Sequence, residues 1–189
     1  MCMRVVAGTS RGKKLSAPPG VSTRPTSDRV KEALFSILSS RIDFADVRVL
    51  DVCAGTGSLG IEAMSRGAGS CCFIEQSRPV KAVLEKNLLA TGCQNRSEIV
   101  TMDAVRALNV IAGRGRCYDL VFFDPPYASE LYECVPEALA SSGLLASGSI
   151  LIIECSVRNR LPETYGRLKR FDRRVYGETA IEFFTVEAE

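Results

Sequence analysis

The sequence contains no histidine among its 189 residues and no CxxC pair among its eight cysteines. The absence of histidine excludes catalytic triads of the Ser-His-Asp type. It also argues against a zinc site, since histidine and closely spaced cysteine pairs are the usual zinc ligands. Most cysteines stand in apolar segments, such as Cys71 and Cys72 in SCCFIE, and we interpret them as reduced core residues. We therefore expect neither a metal nor a disulfide framework.

Long apolar runs are absent as well. No stretch reaches the roughly 18 apolar residues that a membrane-spanning helix requires. The beginning of the chain, MCMRVVAGTSRGKK, lacks the apolar core and the cleavage site of a signal peptide. Apolar residues make up 46% of the chain and charged residues 24%, which is ordinary for a globular protein. These features predict a cytoplasmic protein without a membrane partner, and we take a monomer as the default state.

Charge is almost balanced over the whole chain, at +2, but it is unevenly distributed. Residues 1–31 contain seven basic residues and one acidic residue, a net charge of +6, so the remainder carries −4. A basic N-terminal arm on a mildly acidic body suggests a polyanionic partner. A solvated basic tail is the alternative interpretation. We assign residues 1–25 to a basic hairpin and loop, and residues 26–189 to one further domain.

Apolar runs and helical periodicities alternate along most of that domain. Strands are predicted at 47–52, 70–75, 98–102, 118–123 and 149–155, and helices at 26–40, 58–66, 78–91, 104–111 and 130–141. Two final strand-like runs, 168–176 and 179–187, predict an antiparallel hairpin. The pattern indicates the α/β class, with a doubly wound, mostly parallel seven-stranded sheet. A small N-terminal hairpin and helix precede it.

The first strand leads into a glycine-rich loop within VLDVCAGTGSLGIEA. Gly55, Gly57 and Gly60 match the GxGxxG spacing of dinucleotide-binding loops, where glycines let the backbone approach a ligand. Asp51 stands four residues before the first glycine, at the end of the strand. A carboxylate there would repel a pyrophosphate but could hold a cationic group. The motif therefore argues against a nicotinamide cofactor.

Two further acids follow the second and third strands, namely Glu75 and Asp103. Carboxyl ends of parallel strands line the crevice in which open α/β sheets bind ligands. Glu75 suits ribose hydroxyls, Asp103 suits an adenine, and Asp51 suits a positive centre, which together describe S-adenosylmethionine. Helix capping at strand-to-helix turns is the alternative role for these carboxylates. The predicted cofactor contacts in this crevice are Asp51, Ala54, Gly55, Gly57, Glu75, Asp103 and Ala104.

Four separated motifs carry a resemblance to a known family. They are RVVAGTSRGKKL, STRPTSDRVKEALFSIL, DVCAGTGSLGIEAMSRGA and FFDPPY, in that order. The chain resembles the RsmD family over nearly its whole length, more weakly after about residue 155. That family methylates the exocyclic N2 of a guanine in small-subunit (16S) ribosomal RNA. The resemblance implies a Rossmann-like class I methyltransferase fold with S-adenosylmethionine as its cofactor.

The tetrapeptide Asp124-Pro125-Pro126-Tyr127 follows the fourth predicted strand and resembles the signature of methyltransferases that act on planar amino nitrogens. An exocyclic amine is a poor nucleophile because its lone pair is delocalised. The Asp124 carboxylate and the Pro125 carbonyl can accept its two hydrogens and stabilise the developing positive charge. The prolines restrict φ and hold these acceptors in place, while Tyr127 offers a face for base stacking. Whether Asp124 also takes the proton is left open.

The resemblance also assigns roles to the N-terminal segment. Arg24 and Thr26 are predicted to contribute to the cofactor and substrate site. The predicted RNA-binding residues are Arg4, Arg11, Lys13 and Lys14. Basic side chains of this kind contact phosphates, which position RNA without reading its sequence. The expected partner is 16S ribosomal RNA, within a small ribosomal subunit or an assembly intermediate.

Two alternatives remain at this point. DNA adenine or cytosine and protein glutamine carry similar planar amines, although asparagine is the commoner first residue of the motif in those classes. A nicotinamide dinucleotide-binding protein would explain the glycine spacing, but it would leave Asp51 and the DPPY tetrapeptide without a role.

Overall fold

The computed structural model describes residues 3–18, 28–126 and 130–186, which form one mixed β-sheet with helices on both faces. The helices are α1 Asp28–Ser39, α2 Ser58–Ser65, α3 Arg78–Thr91, α4 Ala104–Ala112 and α5 Leu131–Ser141, with a 3-10 turn at Gln94–Arg96. The strands are β1 Arg48–Val52, β2 Ser70–Ile74, β3 Ser97–Val100, β4 Tyr118–Phe123, β5 Leu145–Ser156, β6 Thr164–Tyr165, β7 Leu168–Tyr176 and β8 Thr179–Val186.

The sheet has the strand order β3-β2-β1-β4-β5-β8-β7-β6. Strands β3, β2, β1, β4 and β5 run parallel, and β8, β7 and β6 complete the sheet with antiparallel pairings. Strands β2 and β3 lie on one side of β1, and β4 and β5 lie on the other. The order of the strands in the sheet therefore changes direction between β1 and β4. A crevice forms at the carboxyl ends of the strands at such a switch point.

The predicted doubly wound α/β fold is confirmed, with one difference in the strand count. The described sheet has eight strands because Thr164–Tyr165 adds a two-residue strand at its edge. Two residues are too short to leave an alternating pattern in the sequence. The fifth strand also begins at Leu145, before the predicted start, and a register shift between Tyr118 and Leu120 accommodates its first residues against β4.

Apolar side chains alternate between the two faces of the central strands, as expected for a sheet covered on both sides. On β4, Phe122 packs with the cluster that contains α1, α2 and α3, and Phe123 packs with the cluster that contains α4 and α5. Both rings are at most 1% exposed. Fully burying a side chain of this size contributes about 1.5–3 kcal/mol. The two layers thus hold the carboxyl end of β4, where the DPPY motif begins, in a fixed position.

The N-terminal residues pack onto this body. Met3, Val5 and Leu15 are buried in the same apolar cluster as Phe35 of α1. Residues 3–5 and 13–15 pair as a short antiparallel hairpin, with a bridge between Arg4 and Lys14. The Val5 amide donates to the Lys13 carbonyl at 3.0 Å, and the Leu15 amide donates to the Met3 carbonyl at 2.8 Å. The predicted N-terminal hairpin is therefore confirmed. The predicted boundary near residue 25 lies outside the described residues and stays a prediction.

This hairpin also forms hydrogen bonds to α2. The backbone amides of Val6 and Ala7 donate to the Glu62 carboxylate at 2.7 and 3.0 Å. Gly8 has a φ of +80°, and a Cβ there would approach the Ser65 carbonyl oxygen to 1.8 Å. Lys31 lies beneath, fully buried, and donates to the Arg4 carbonyl at 2.6 Å. A glycine is required where the segment meets α2.

The seven described cysteines are all free thiols, and Cys71, Cys72, Cys93 and Cys155 among them are buried. Burial raises the pKa of the Cys72 thiol to about 11 and keeps it protonated. Across the described ranges, no helix is both long enough and apolar enough to cross a membrane.

Candidate active site

The described members of the predicted cofactor and catalytic sets lie at one edge of the sheet. Val52, Ile74 and Phe123 occupy the same level on β1, β2 and β4, and Val100 is paired with Ile74 on β3. The segments that follow these four strands therefore emerge side by side. They carry the glycine loop, Glu75, Asp103 and Asp124 respectively.

Cys53 provides an electrostatic marker of this convergence. Burial raises the pKa of its thiol to about 12, and four carboxylates reinforce the shift, from Glu75, Asp124, Asp51 and Asp103 in decreasing order. The four acidic residues selected from the sequence thus line one crevice near Cys53, at the edge where their strands end side by side.

The glycine loop has a strained, sharply curved backbone. Cys53, Gly55 and Gly57 have φ values of 62°, 56° and 79°, a region that glycine enters without steric cost. At Gly57 an added Cβ would lie 2.3 Å from Leu84 of α3. The Ala54 amide donates to the Ile74 carbonyl at 2.9 Å, which anchors the loop to β2. The loop is therefore formed in advance of any ligand.

Glu75 supports this loop directly. One carboxylate oxygen accepts the Gly55 amide at 2.9 Å, and the other accepts the Ser77 amide at 2.8 Å. The residue is 9% exposed. Because each carboxylate oxygen has further acceptor capacity, these bonds leave room for ribose hydroxyls. Glu75 thus stiffens the loop and remains able to bind a ligand.

Asp51 lies deeper, 2% exposed, and accepts the Gly60 amide of α2 at 2.9 Å. Burial raises the pKa of this carboxyl to about 8, partly offset by the Gly60 hydrogen bond, and the charge of Glu75 adds to the increase. The free protein therefore holds Asp51 largely neutral at pH 7. A cation in the crevice would favour the ionised form.

Asp103 caps helix α4. Its side chain accepts the Arg106 amide at 3.1 Å, and Ala104 is the first helical residue. Asp103 itself is exposed, whereas Ala104 is buried. The capping alternative considered for this carboxylate is what the structure contains. Its proposed contact with an adenine is not tested by these contacts.

Asp124 differs from the other three acids. It is half-buried at the end of β4, and within the described part of the chain no hydrogen bond to its carboxylate is found. Burial raises the pKa of Asp124 well above its usual range, and the charges of Glu154 and Asp51 raise it further. These causes favour the neutral form of Asp124 in the free protein, and the positive charge of a bound sulfonium would favour the ionised form, which is the stronger hydrogen-bond acceptor.

The sequence analysis missed two residues next to Asp124. Glu154 is 5% exposed on β5, one residue beyond the pairing of Phe123 with Ile153. The Tyr132 hydroxyl lies 3.0 Å from the Glu154 carbonyl and 3.4 Å from the Pro125 carbonyl. A carboxylate inside the apolar run ILIIEC was the available signal for Glu154. Tyr132 has the ordinary spacing of a helical core residue.

The structure also locates the remaining predicted residues. Pro125 is buried and Pro126 is exposed, whereas Arg24, Thr26 and Tyr127 lie outside the described residues. The four predicted RNA-binding residues, Arg4, Arg11, Lys13 and Lys14, are all exposed. Arg4 forms an exposed ion pair with Asp28 at 2.9 Å. In the described ranges, no cluster of three or more Cys, Asp or Glu residues could hold a metal ion.

Comparison with known proteins yields a family match over almost the whole chain. The model of a family described as "Conserved hypothetical protein 95" matches residues 3–185. Ribosomal RNA small subunit methyltransferase D of Escherichia coli is 35% identical over 187 residues, covering 99% of this chain and 91% of that protein. The Haemophilus influenzae protein of the same name is 34% identical over 170 residues, covering 88% of this chain and 86% of its own length.

Solved structures show the same similarity in three dimensions. The Escherichia coli protein yhhF has a TM-score of 0.86 and 34% identity, covering 100% of both chains. A hypothetical protein of Thermus thermophilus has a TM-score of 0.83 and 30% identity, covering 98% of this chain and 99% of that one.

Proposed function

The chain belongs to the family described as "Conserved hypothetical protein 95", and from that membership we propose that it methylates small-subunit ribosomal RNA. It transfers a methyl group from S-adenosylmethionine to the exocyclic N2 amine of a guanine in 16S ribosomal RNA. One observation carries this reaction type. The half-buried Asp124, with no hydrogen bond of its own among the described residues, stands with Pro125 at the end of β4, beside the preformed glycine loop.

The crevice around Cys53 suits S-adenosylmethionine. The glycine loop brings backbone within reach of the ligand, and Glu75 accepts the ribose hydroxyls while it holds Gly55. Asp103 faces the adenine, and Asp51 lies beneath the loop where a sulfonium would favour its ionised form. The Glu75 carboxylate already occupies the Gly55 amide and would repel a pyrophosphate, which disfavours a nicotinamide dinucleotide at this edge.

The reaction forms a bond between the guanine N2 and the methyl carbon and breaks the bond between that carbon and sulfur. The Asp124 carboxylate and the Pro125 carbonyl accept the two N2 hydrogens, so the lone pair is directed toward the methyl group. Charge moves from the sulfonium to N2, where these acceptors stabilise it in the transition state. One N2 proton is then released, and the raised pKa of Asp124 makes its carboxylate a competent acceptor for that proton.

The N-terminal segment supplies the proposed RNA surface. Arg11, Lys13 and Lys14 are exposed on a segment that is otherwise docked in the core. We propose that their charges contact RNA phosphates, that Arg24 and Thr26 contribute to the cofactor and substrate site, and that Tyr127 stacks on the target base. Replacement of all three basic residues by glutamine should weaken RNA binding and flatten its salt dependence, by a slope of about 0.7–0.9 per lost phosphate contact.

Titration of RNA binding over a range of salt concentrations measures this change. A triple variant of Lys86, Arg158 and Arg160, exposed basic residues outside the N-terminal segment, serves as the matched control. An unchanged slope in the N-terminal variant would favour the solvated-tail interpretation of these side chains.

A methyl-transfer assay tests the function as a whole. Tritiated S-adenosylmethionine is supplied with naked 16S ribosomal RNA and, separately, with small subunits from a strain that lacks the enzyme. We expect incorporation into at least one substrate, and N2-methylguanosine in its nucleoside digest. Methylated adenine or cytosine in the digest would show that the enzyme acts on an amine other than guanine N2. If no methyl group is incorporated although cofactor binding is demonstrated, the ribosomal RNA assignment is wrong. We further propose that the enzyme acts as a cytoplasmic monomer, on a ribosomal subunit or an assembly intermediate.

A further inference from the structure

One buried side chain connects the N-terminal segment to the glycine loop. Asn87 of α3 is 1% exposed. Its amide nitrogen donates to the Ser16 carbonyl at 3.1 Å and to the Thr56 carbonyl at 3.0 Å, and its oxygen accepts the Ser16 amide at 2.7 Å. Only this orientation of the amide satisfies two carbonyls and one N–H, so both hydrogens and the oxygen have defined partners.

The two ends of this bridge belong to different proposed binding surfaces. Ser16 follows the exposed Lys13 and Lys14 within the segment proposed to contact RNA phosphates. Thr56 lies between Gly55 and Gly57 in the loop proposed to bind the cofactor. A second contact in the same direction joins the Thr56 hydroxyl to the Met3 sulfur at 3.4 Å. The N-terminal segment is therefore joined to the glycine loop directly through Met3 and indirectly through Asn87.

The bridge links the conformations of the two surfaces energetically. A buried backbone group that loses its partner costs about 1–3 kcal/mol, so moving Ser16 away from Asn87 is unfavourable. The same amide group holds Thr56, and Gly57 is further restrained because its amide donates to the Ala54 carbonyl at 2.8 Å. An RNA that stabilises residues 13–16 in their bridged position thus also stabilises the loop conformation that receives the cofactor.

We propose that Asn87 is a positioning residue that couples RNA binding on the N-terminal segment to cofactor binding in the glycine loop. The inference rests on the proposed function, since it takes the two surfaces as the RNA site and the cofactor site. Coupling between two ligands is reciprocal. Bound RNA therefore raises the affinity for the cofactor by the same factor by which bound cofactor raises the affinity for RNA.

The coupling is measured on the wild-type protein with S-adenosylhomocysteine, which cannot react, and with whichever RNA substrate accepts methyl groups in the transfer assay, naked 16S ribosomal RNA or small subunits. Calorimetry determines the affinity for S-adenosylhomocysteine with and without saturating RNA. A filter-binding titration determines the affinity for RNA with and without saturating S-adenosylhomocysteine. We expect both affinities to rise on the order of tenfold, within the usual range of allosteric coupling.

Two matched substitutions assign the coupling to this residue. Asn87→Asp replaces the donating amide with a carboxylate that faces two carbonyl oxygens, and Asn109→Asp makes the same chemical change at an exposed position of α4. We expect the coupling factor to fall close to one in Asn87→Asp and to stay at the wild-type value in Asn109→Asp. A role limited to stability would lower the melting temperature and leave the coupling factor intact.

Hydrogen exchange keeps the inference testable if Asn87→Asp does not fold. In the wild-type protein, RNA should slow amide exchange in the glycine loop, and S-adenosylhomocysteine should slow it at residues 14–16. The absence of both effects would overturn the coupling, as would two ligands that bind without influencing each other. Failure to bind S-adenosylhomocysteine at all would overturn the proposed function, and the coupling with it.

Discussion

The carboxylates at the edge of the sheet fall into two groups that differ in what they contact. Asp51, Glu75 and Asp103 each accept at least one backbone amide, from Gly60, Gly55 and Arg106 among others. Asp124, at the same edge, accepts no hydrogen bond within the described residues. The first group holds the glycine loop and the starts of two helices. The second, Asp124 alone, is the group that we propose to contact the substrate amine.

This difference separates binding from chemistry in the proposed reaction. A carboxylate that already bonds to the backbone is held in place and shapes the cofactor crevice before the ligand arrives. A carboxylate without such bonds keeps its acceptor capacity for the amine in the transition state. Substitutions in the two groups should therefore affect different measured quantities.

The largest effect is expected at Asp124. Asp124→Ala removes an acceptor that acts mainly in the transition state, so kcat should fall by about 10²- to 10³-fold. The affinity for S-adenosylhomocysteine should remain close to the wild-type value, and Asp124→Asn, which keeps one acceptor oxygen, should lose less. Single-turnover kinetics and calorimetry measure the two quantities. Asp43→Ala, at an exposed position, is the control. A parallel loss of cofactor affinity would place Asp124 in the binding group instead.

Glu75 should show the opposite pattern. Glu75→Ala removes the acceptor of the Gly55 amide and of the ribose, so cofactor affinity should fall about 10- to 100-fold, the equivalent of one or two charged hydrogen bonds. Turnover at saturating cofactor should change much less. Calorimetry with S-adenosylhomocysteine measures the affinity, and Glu85→Ala on the exposed side of α3 is the matched control. Unchanged affinity would contradict the ribose assignment.

Asp51 provides a pH-dependent comparison. Its pKa of about 8 means that the carboxyl is mostly neutral at pH 7 and ionised above pH 9. If it faces the sulfonium, the affinity for S-adenosylmethionine should rise over this range relative to that for S-adenosylhomocysteine, by up to about tenfold for each unit of pKa shift. The comparison cancels the titration of the amino group that both ligands carry. If the ratio of the two affinities does not change with pH, the proposed contact between Asp51 and the sulfonium is wrong.

The raised pKa of Asp51 also predicts how the free energy of unfolding varies with pH. Its pKa is raised in the folded state, so the native protein binds more protons than the unfolded chain between about pH 4 and pH 8. This carboxyl therefore lowers the free energy of unfolding as pH rises through that window. In Asp51→Asn the free energy of unfolding, measured by urea denaturation, should fall less steeply between about pH 4 and pH 8 than in the wild-type protein.

The smallest effect is expected at Asp103. Asp103→Ala removes the N-cap of α4 and should lower the free energy of unfolding by about 1 kcal/mol, whereas Asp103→Asn preserves the cap. Cofactor affinity should change less than in Glu75→Ala, because the side chain is exposed and its carboxylate already serves the helix. Urea denaturation and calorimetry measure the two effects. A loss of affinity as large as that of Glu75→Ala would make Asp103 a principal ligand contact.

The sequence predicted most of the fold and part of the site. The bounds of α3 and β4 were predicted to the residue, because periodicity and flanking turns are local signals. The glycine loop and the DPPY motif were found for the same reason. Capping by Asp103 could only be left open, because a carboxylate after a strand suits a ligand and a helix equally well.

The sequence by itself therefore determined the order of strands and helices, the glycine loop and the acceptor motif, all of which depend on residues close together in the chain. The tertiary structure alone decided that the N-terminal segment docks on α2, that Glu154 lies beside Asp124, and that Asn87 joins Ser16 to Thr56. These contacts join residues about 30 to 70 positions apart. Such polar pairings depend on which strands become neighbours and which backbone groups are left without partners when the layers pack, and no local pattern records either.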